Sequence, residues 1–297
     1  MRRLFRTSLR KRYDVPLPDG RLLTLGERTL VMGIINVTPD SFADGGLRFD
    51  PSRAIEDGWR LLEDGADIVD IGGESTRPGA EPLEAEEELR RVLPIVEALS
   101  SRAVVSIDTY KAVVAREAVA RGAAIINDVS ALRYDPGLGT VAADSGAAIV
   151  LMHNRGRSRD MYKDAEYTDV AGEIAAELSV AIAAAESAGI RREAIIIDPG
   201  LGFAKQARHS YEALASLERL TSLRRPLLSG PSRKSFLKAA LGDVPPSGRE
   251  WGTAAAITAS VLFGAHIVRV HGVREMVQVV RVADRVVAAM GTPPPAV

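Results

Sequence analysis

Eight short apolar runs punctuate this chain of 297 residues, and polar residues succeed each of them. The runs cover residues 30–35, 68–71, 103–107, 124–126, 147–152, 194–197, 226–228 and 267–270. Runs of this length without a polar alternation have the makeup of strands buried on both faces. Between them lie segments with helical spacing at residues 51–63, 83–99, 111–121, 170–188 and 211–220, and the alanine- and valine-rich stretches 251–263 and 273–290 are also helix-like. Strand–helix alternation predicts a parallel sheet, and eight strands at this chain length predict a closed (β/α)8 TIM barrel of the α/β class. An open doubly wound sheet usually carries a glycine-rich phosphate turn after its first strand, and no GxGxxG occurs here.

Residues 13–25 read as two short strands joined at Pro18-Asp19-Gly20, a turn signal, and are expected to cap the bottom of the barrel as a hairpin. The expected organisation is a basic arm and capping hairpin over residues 1–29, the barrel over 30–292 and a tail over 293–297. Residues 1–12 hold Arg2, Arg3, Arg6, Arg10, Lys11 and Arg12 with no acidic residue, and are expected to be a solvated arm. No apolar h-region comes after them, which speaks against a secretory signal.

Composition narrows the function classes. A formal net charge of -1 gives no global pull toward nucleic acid or anionic membrane. The chain has no cysteine, so disulfides, thiolate metal sites and a cysteine nucleophile are excluded. No apolar run reaches the length of a membrane span. The expectation is a cytoplasmic globular enzyme acting on small molecules.

The chemistry lies in the polar residues at the end of each run. Leu30 to Ile35 gives way at Asn36 to a loop marked by Pro39, Asp40, Gly45 and Gly46. The second run enters Gly72-Gly73-Glu74-Ser75-Thr76-Arg77-Pro78, the third Asp108-Thr109, the fourth Asn127-Asp128 and the fifth His153-Asn154. The sixth enters Asp198-Pro199-Gly200, the seventh Ser229–Lys234, and the eighth carries Arg269 and ends beside His271. A lone strand-end Asp is most often a cap or turn former. Polar ends on all eight strands, gathered at the one mouth where barrels build their sites, exceed what capping explains.

Two groups separate by charge. Asp108, Asn127 and Asp198 are acceptor-rich and suit a flat ligand with a guanidine-like donor edge, such as an aminopyrimidine. One or both carboxylates pairing with Lys234 or Arg233 is the purely structural alternative. Thr76, Arg77, Arg269 and His271 form an anion-seeking group matched to a phosphate or diphosphate, with Asn36 as a neutral oxygen ligand for a Mg²⁺ ion. His153 receives no chemical role, and His209 sits where a helix begins, as readily surface as buried. The four histidines form no HExxH-type zinc pattern.

From about Leu30 to about Glu275 the sequence resembles the dihydropteroate synthase family. The resemblance rests on NVTPDSF from Asn36, GGESTRPGA from Gly72, SIDTYK from Ser106 and INDVSAL from Ile126. LMH at Leu151, DPGLGFAK at Asp198, SRK at Ser232 and RVH at Arg269 complete it. The resemblance implies joining of 4-aminobenzoate to (7,8-dihydropterin-6-yl)methyl diphosphate, with Asp108, Asn127, Met152, Asp198, Phe203 and Lys234 at the pterin. It further implies Asn36, Thr76, Arg77, Arg269 and His271 at the diphosphate and Mg²⁺, and Phe42, Thr76, Pro78, Ser232 and Lys234 near the aminobenzoate. Asp108, Asp198, Lys234, Arg269 and His271 are the expected catalytic set, acting by dissociative substitution. A homodimer and sulfonamide sensitivity are implied by the same analogy. Ser210 after His209 and Pro231 before Ser232 depart from the family pattern. A corrinoid-methyltransferase-like pterin barrel or a non-catalytic paralogue is the rival reading, and the retained Arg77, Ser232-Arg233-Lys234 and Arg269-Val270-His271 argue against both.

Overall fold

The computed structural model describes residues 10–37, 50–75, 79–156, 162 and 165–290. Among these, ten strands and nine α-helices are found, with four short 3₁₀ turns. Strands β1 (Tyr13–Pro16) and β2 (Leu22–Leu25) pair antiparallel. Gly20 closes their turn at φ 83°, a conformation that costs glycine nothing, and Asp19 Oδ1 accepts from the Arg21 N–H at 2.9 Å.

The barrel strands are β3 (Leu30–Asn36), β4 (Ile68–Gly72), β5 (Val104–Asp108) and β6 (Ile125–Asp128). They continue as β7 (Ala148–Met152), β8 (Ile195–Asp198), β9 (Leu228–Ser229) and β10 (Ile267–Val270). All neighbours run parallel, in the order β8-β7-β6-β5-β4-β3-β10-β9. A parallel bridge between Ile197 and Leu227 joins the two ends, and the Ile197 N–H donates to Pro226 O at 3.0 Å. The sheet is therefore the expected barrel, closed most thinly at β9, where Pro226 has no N–H to give.

Side-chain parity explains what fills it. Met32, Ile68, Ile125, Val150, Ile196, Leu228 and Ile267 cluster with Val15, Leu17 and Leu25 of the hairpin. That cluster is the lower barrel interior, sealed from below by the hairpin. The alternate positions, among them Val69, Ile71, Val105, Ile107, Ile126, Ile149 and Ile197, pack instead against the surrounding helices. Period two then carries Asp70, Ser106, Asp108, Asn127, Met152, Asp198 and Arg269 into the upper interior. An apolar floor lies under a polar storey.

The helices are α1 (Pro51–Glu63), α2 (Ala85–Ser100), α3 (Ala112–Ala120), α4 (Leu138–Ser145) and α5 (Val170–Ser187). Then come α6 (Ala207–Ala215), α7 (Lys238–Leu241), α8 (Glu250–Leu262) and α9 (Val273–Met290). Three differ from the periodicity of the sequence, one of them the single turn of α7, which has no expected counterpart. The segment expected at 211–220 is α6 starting at Ala207, followed by 3₁₀ turns over Leu217–Leu223. Helix α4 has no counterpart among the expected segments, because Gly139 and Thr140 blur its apolar stripe; Gly139 gives close passage to Ala188, which a Cβ would approach to 2.9 Å. No helix among the described residues is long and apolar enough to cross a membrane.

Candidate active site

At the centre of the polar storey stands Arg269, on β10. Its Nε donates to Asp70 Oδ2 at 2.6 Å and its Nη2 to Asp108 Oδ2 at 2.8 Å. Asn127 Nδ2 donates to the same Asp70 oxygen at 3.0 Å. Asp70 is completely buried, and its second oxygen has no partner among the described residues. The sheet register puts Asp108 between Gly72 and Asn127, so the three strand ends stand side by side.

Asp198 lies across the mouth, paired in register with Met152. Its Oδ1 accepts from the Gly200 N–H at 2.6 Å. Lys234 Nζ donates to Leu201 O at 2.6 Å and lies 4.2 Å from the centre of the Phe203 ring. Burial pushes the Asp108 carboxyl up to about 7 against the pull of Arg269, with Asp70 adding to the rise. Burial likewise raises Asp198, opposed chiefly by Lys234. The same burial brings Lys234 down to about 8 although Asp198 favours its charge. Burial works against the Arg269 charge too, yet Asp70 and Asp108 hold its pKa above the usual range. A pocket with such perturbed groups facing one space is what a reaction site requires.

Ser232 and His271 form a pair at the rim. The His271 N–H donates to Ser232 Oγ at 3.2 Å, and that oxygen stands 3.0 Å from His271 Nδ1. With the hydroxyl donating to Nδ1, the neutral ring carries its proton on Nε2. Asn36 ends β3 opposite Gly72. Thr76, Arg77, Pro78 and Phe42 lie outside the described residues, as do Pro39, Asp40, Gly45 and Gly46.

The charge separation expected from the sequence is closed up by the fold. Arg269, grouped with the anion-seeking residues, is bonded to Asp108 of the acceptor group, so one guanidinium joins the two sets. Neither alternative partner takes the carboxylates by a hydrogen bond: Arg233 pairs with Glu250 through Nε at 2.5 Å, and Lys234 bonds the Leu201 carbonyl. Arg233 itself adopts φ 58°, with its N–H on Thr253 Oγ1 at 3.1 Å. This turn sends residues 233 and 234 to opposite duties.

Several contributors lie beyond the residues expected from the sequence. Asp70 hides inside an apolar run, although a charge within a strand buried on both faces has only the barrel interior to enter. Lys205 is buried, with Nζ 2.8 Å from His153 Nδ1 and donating to Gly200 O at 3.2 Å and Phe203 O at 3.1 Å. It clamps the loop that carries Asp198 and Phe203. His153, whose Nε2 lies 3.1 Å from Glu177 Oε2, is pushed down to about 4 by burial and supports this clamp. His209 is buried, 5.0 Å from the Tyr167 ring. Ser210, the departure beside it, accepts from the Gly202 N–H at 3.2 Å and so holds the same loop. Glu74 takes the Tyr110 hydroxyl at 2.8 Å, Lys111 Nζ at 2.5 Å and the Leu83 N–H at 3.0 Å, tying together both ends of the loop after β4.

Comparison with known proteins identifies the family and agrees with the fold. The family model described as pterin binding enzyme matches residues 32–271. A dihydropteroate synthase of Synechocystis sp. is 45% identical over 275 residues, covering 92% of this chain and 95% of its own. The dihydropteroate synthase of Xanthomonas albilineans solved with 4-aminobenzoic acid superposes with a TM-score of 0.85 at 44% identity, covering 94% of this chain and 100% of that one. The same organism's enzyme in complex with 7,8-dihydropteroate gives a TM-score of 0.81 at 40% identity, covering 95% and 100%. The chain belongs to the pterin-binding enzyme family, within its dihydropteroate synthases.

Proposed function

We propose that this protein condenses 4-aminobenzoate with (7,8-dihydropterin-6-yl)methyl diphosphate, giving 7,8-dihydropteroate and diphosphate. One observation carries the reading: Asp108, Asn127 and Asp198 line the upper interior as acceptors, with Arg269 and Lys234 set among them. The relatives solved with 4-aminobenzoic acid and with 7,8-dihydropteroate support the choice of ligands.

In this reading the pterin lies flat in the mouth. Its guanidine-like edge donates to Asp198, while Asp108 and Asn127 bind the opposite polar edge. Met152 and Phe203 supply apolar walls, and Lys234 lies over the ring. Thr76, Arg77, Arg269 and His271 face the diphosphate; Phe42, Thr76, Pro78 and Ser232, with Lys234, face the aminobenzoate. The bond between the pterin methylene and the diphosphate oxygen breaks first, and its electron pair leaves with the diphosphate. The methylene cation is conjugated with the electron-rich dihydropterin, and the carboxylates of Asp108 and Asp198 stabilise it. The arylamine lone pair then forms the C–N bond, and the amine proton passes to solvent. A neutral arylamine is a weak nucleophile, so generating a strong electrophile is the step that needs catalysis.

The donor set fits a Mg²⁺ delivered with its diphosphate. Among the described residues no cluster of three or more carboxylates, histidines or cysteines exists to hold a metal, whereas Asn36 offers one neutral amide oxygen at a strand end. Mg²⁺ commonly takes one or two protein oxygens and fills its sphere with phosphate and water. When bound it would neutralise charge on the leaving group. A cytoplasmic homodimer completes the reading, on the family analogy.

Calorimetry tests the ligand assignment. The pterin methyl diphosphate should bind far more tightly than the pterin alcohol without diphosphate. Equal affinities would favour a pterin-binding barrel with no diphosphate chemistry.

A further inference from the structure

The far end of the barrel holds a second concavity that the reaction does not use. A cavity of about 190 Å³ opens between the arm leading into β1, the 3₁₀ turns over Leu217–Leu223 and the roots of β9 and β10. Arg10, Lys11, Arg224 and Arg225 line it, together with Tyr13 and His266, and no carboxylate does so among the described residues. It lies at the amino ends of the strands, with the whole apolar floor between it and the mouth.

Of these four cations, only Arg10 is ion-paired among the described residues. Arg10 is committed to Asp284 and Thr29. Lys11 faces the Tyr13 ring at 5.5 Å and Arg224 is exposed; neither has a carboxylate within ion-pair distance among the described residues. Arg225 is the most telling. One of its terminal nitrogens donates to the Arg192 carbonyl, while its buried Nε has no partner among the described residues. Burial and the neighbouring Arg192 charge both lower its pKa against the weaker pull of Glu193 and Glu186, neither of which lines the cavity or forms an ion pair with it among the described residues. Arg224 and Arg225 line the same cavity as Tyr13, and the charge of both acts on its hydroxyl.

The neutral groups complete a wall and add no charge. His266 accepts from the Leu227 N–H at 3.1 Å through Nδ1, and its Nε2 lies 3.0 Å from Lys11 O. Burial takes its pKa down to about 4, so it stays neutral. Its ring meets Tyr13 edge-on at 5.3 Å. Arg224 holds φ 54°, a left-handed conformation uncommon for a side chain of its size.

We infer that this cavity is a binding site for a small phosphate-bearing anion, held by Lys11, Arg224 and Arg225 and remote from the catalytic mouth. Paired guanidiniums around a small cavity match phosphate oxygens through bidentate hydrogen bonds, and Lys11 adds a point charge. The aromatic wall at Tyr13 also accommodates a base attached to that phosphate. The inference rests only on this end of the molecule and stands whether or not the mouth binds diphosphate.

Equilibrium binding by calorimetry, with inorganic diphosphate and with adenosine diphosphate as separate probes, tests it on the full chain. Wild type should take two inorganic diphosphates per chain. Arg269→Gln should lose the site at the mouth and keep the other, while the double variant Arg224→Gln/Arg225→Gln should do the reverse with turnover unchanged. Lys11→Gln, on the arm and without a packing role, should weaken the remote site about tenfold, which guards against misfolding of the double variant. If adenosine diphosphate also binds in an Arg225-dependent way, the ligand class includes nucleotides; if only inorganic diphosphate does, it is the phosphate group alone. One site per chain in wild type, abolished by Arg269→Gln, would overturn the inference. Two sites that both survive Arg269→Gln would instead contradict the role given to Arg269 at the mouth.

Discussion

Arg269 on β10 reaches past the intervening strand β3 to Asp70 on β4, Nε to Oδ2 at 2.6 Å, and the same guanidinium holds Asp108 at 2.8 Å. The triad turns two carboxylates and one arginine into a single electrostatic unit in the upper barrel interior. Removing one partner of a buried pair leaves a charge uncompensated. Asp70→Ala should therefore destabilise the fold by about 3 kcal/mol in urea unfolding, while Asp70→Asn, which keeps the shape, should cost less. In Asp70→Asn the repulsion on Asp108 disappears, so the Asp108 pKa should fall below its wild-type value. A wild-type acid limb in that variant would show that the two carboxylates are not coupled.

The pH dependence follows from two groups. Asp108 titrates near 7 and Lys234 near 8 in the ligand-free protein. If both act charged, kcat/KM for the pterin diphosphate should form a narrow bell with limbs near those values. Lys234→Arg should flatten the alkaline limb.

Stability carries the same groups with defined signs. Asp108 is raised above its unfolded value, so its contribution is present in acid and lost as pH rises through about 7. Lys234 is lowered, so its contribution is present above the unfolded pKa and lost as pH falls through about 8. Comparing the thermal midpoints of wild type and Asp108→Asn between pH 4 and 7 isolates the first effect. Parallel curves would contradict it.

Gly200 has little freedom to change. It sits at φ 65°, and a Cβ there would come to 1.9 Å from the His153 carbonyl oxygen. Gly200→Ala should push the turn away from β7, displacing the N–H that binds Asp198, with a stability loss on the order of 3 kcal/mol. Pterin affinity should fall with it. Retained affinity in a folded variant would show that Asp198 is positioned without this turn.

Ser232 is expected to act through His271. Ser232→Ala removes both of the contacts that serine makes to that residue. With one hydrogen bond worth about 1 kcal/mol, turnover should drop several-fold while the unfolding midpoint barely moves. A change confined to KM for 4-aminobenzoate would show that Ser232 serves the amine substrate alone and does not steady the histidine.

Much of this is legible in the chain. The eight runs locate the barrel strands because strands buried on both faces leave unbroken apolar segments. The polar residues at their ends locate the mouth because all eight strands finish at one side. Asp70 escapes because its position two residues before the strand end looks like a break in an apolar run; inward parity reveals it only once the sheet register is known. Arg269 joins the two expected charge groups for the same reason, since β10 is far from β4 and β5 in sequence and comes within reach of them only because the strand order sets it beside β3. Lys205 and Glu74 act through partners that spacing does not encode: the His153 ring 52 residues away and two carbonyls of its own loop for Lys205, and Tyr110, Lys111 and the Leu83 N–H for Glu74. Helix α4 leaves no signal because its packing uses small residues, which make no apolar stripe.

The most direct test of the central claim is diphosphate release by the purified protein, with the pterin diphosphate and Mg²⁺, in the presence and absence of 4-aminobenzoate. Release that requires 4-aminobenzoate and matches the 7,8-dihydropteroate formed is the predicted result. Tight binding of the pterin diphosphate with no release under either condition would contradict it.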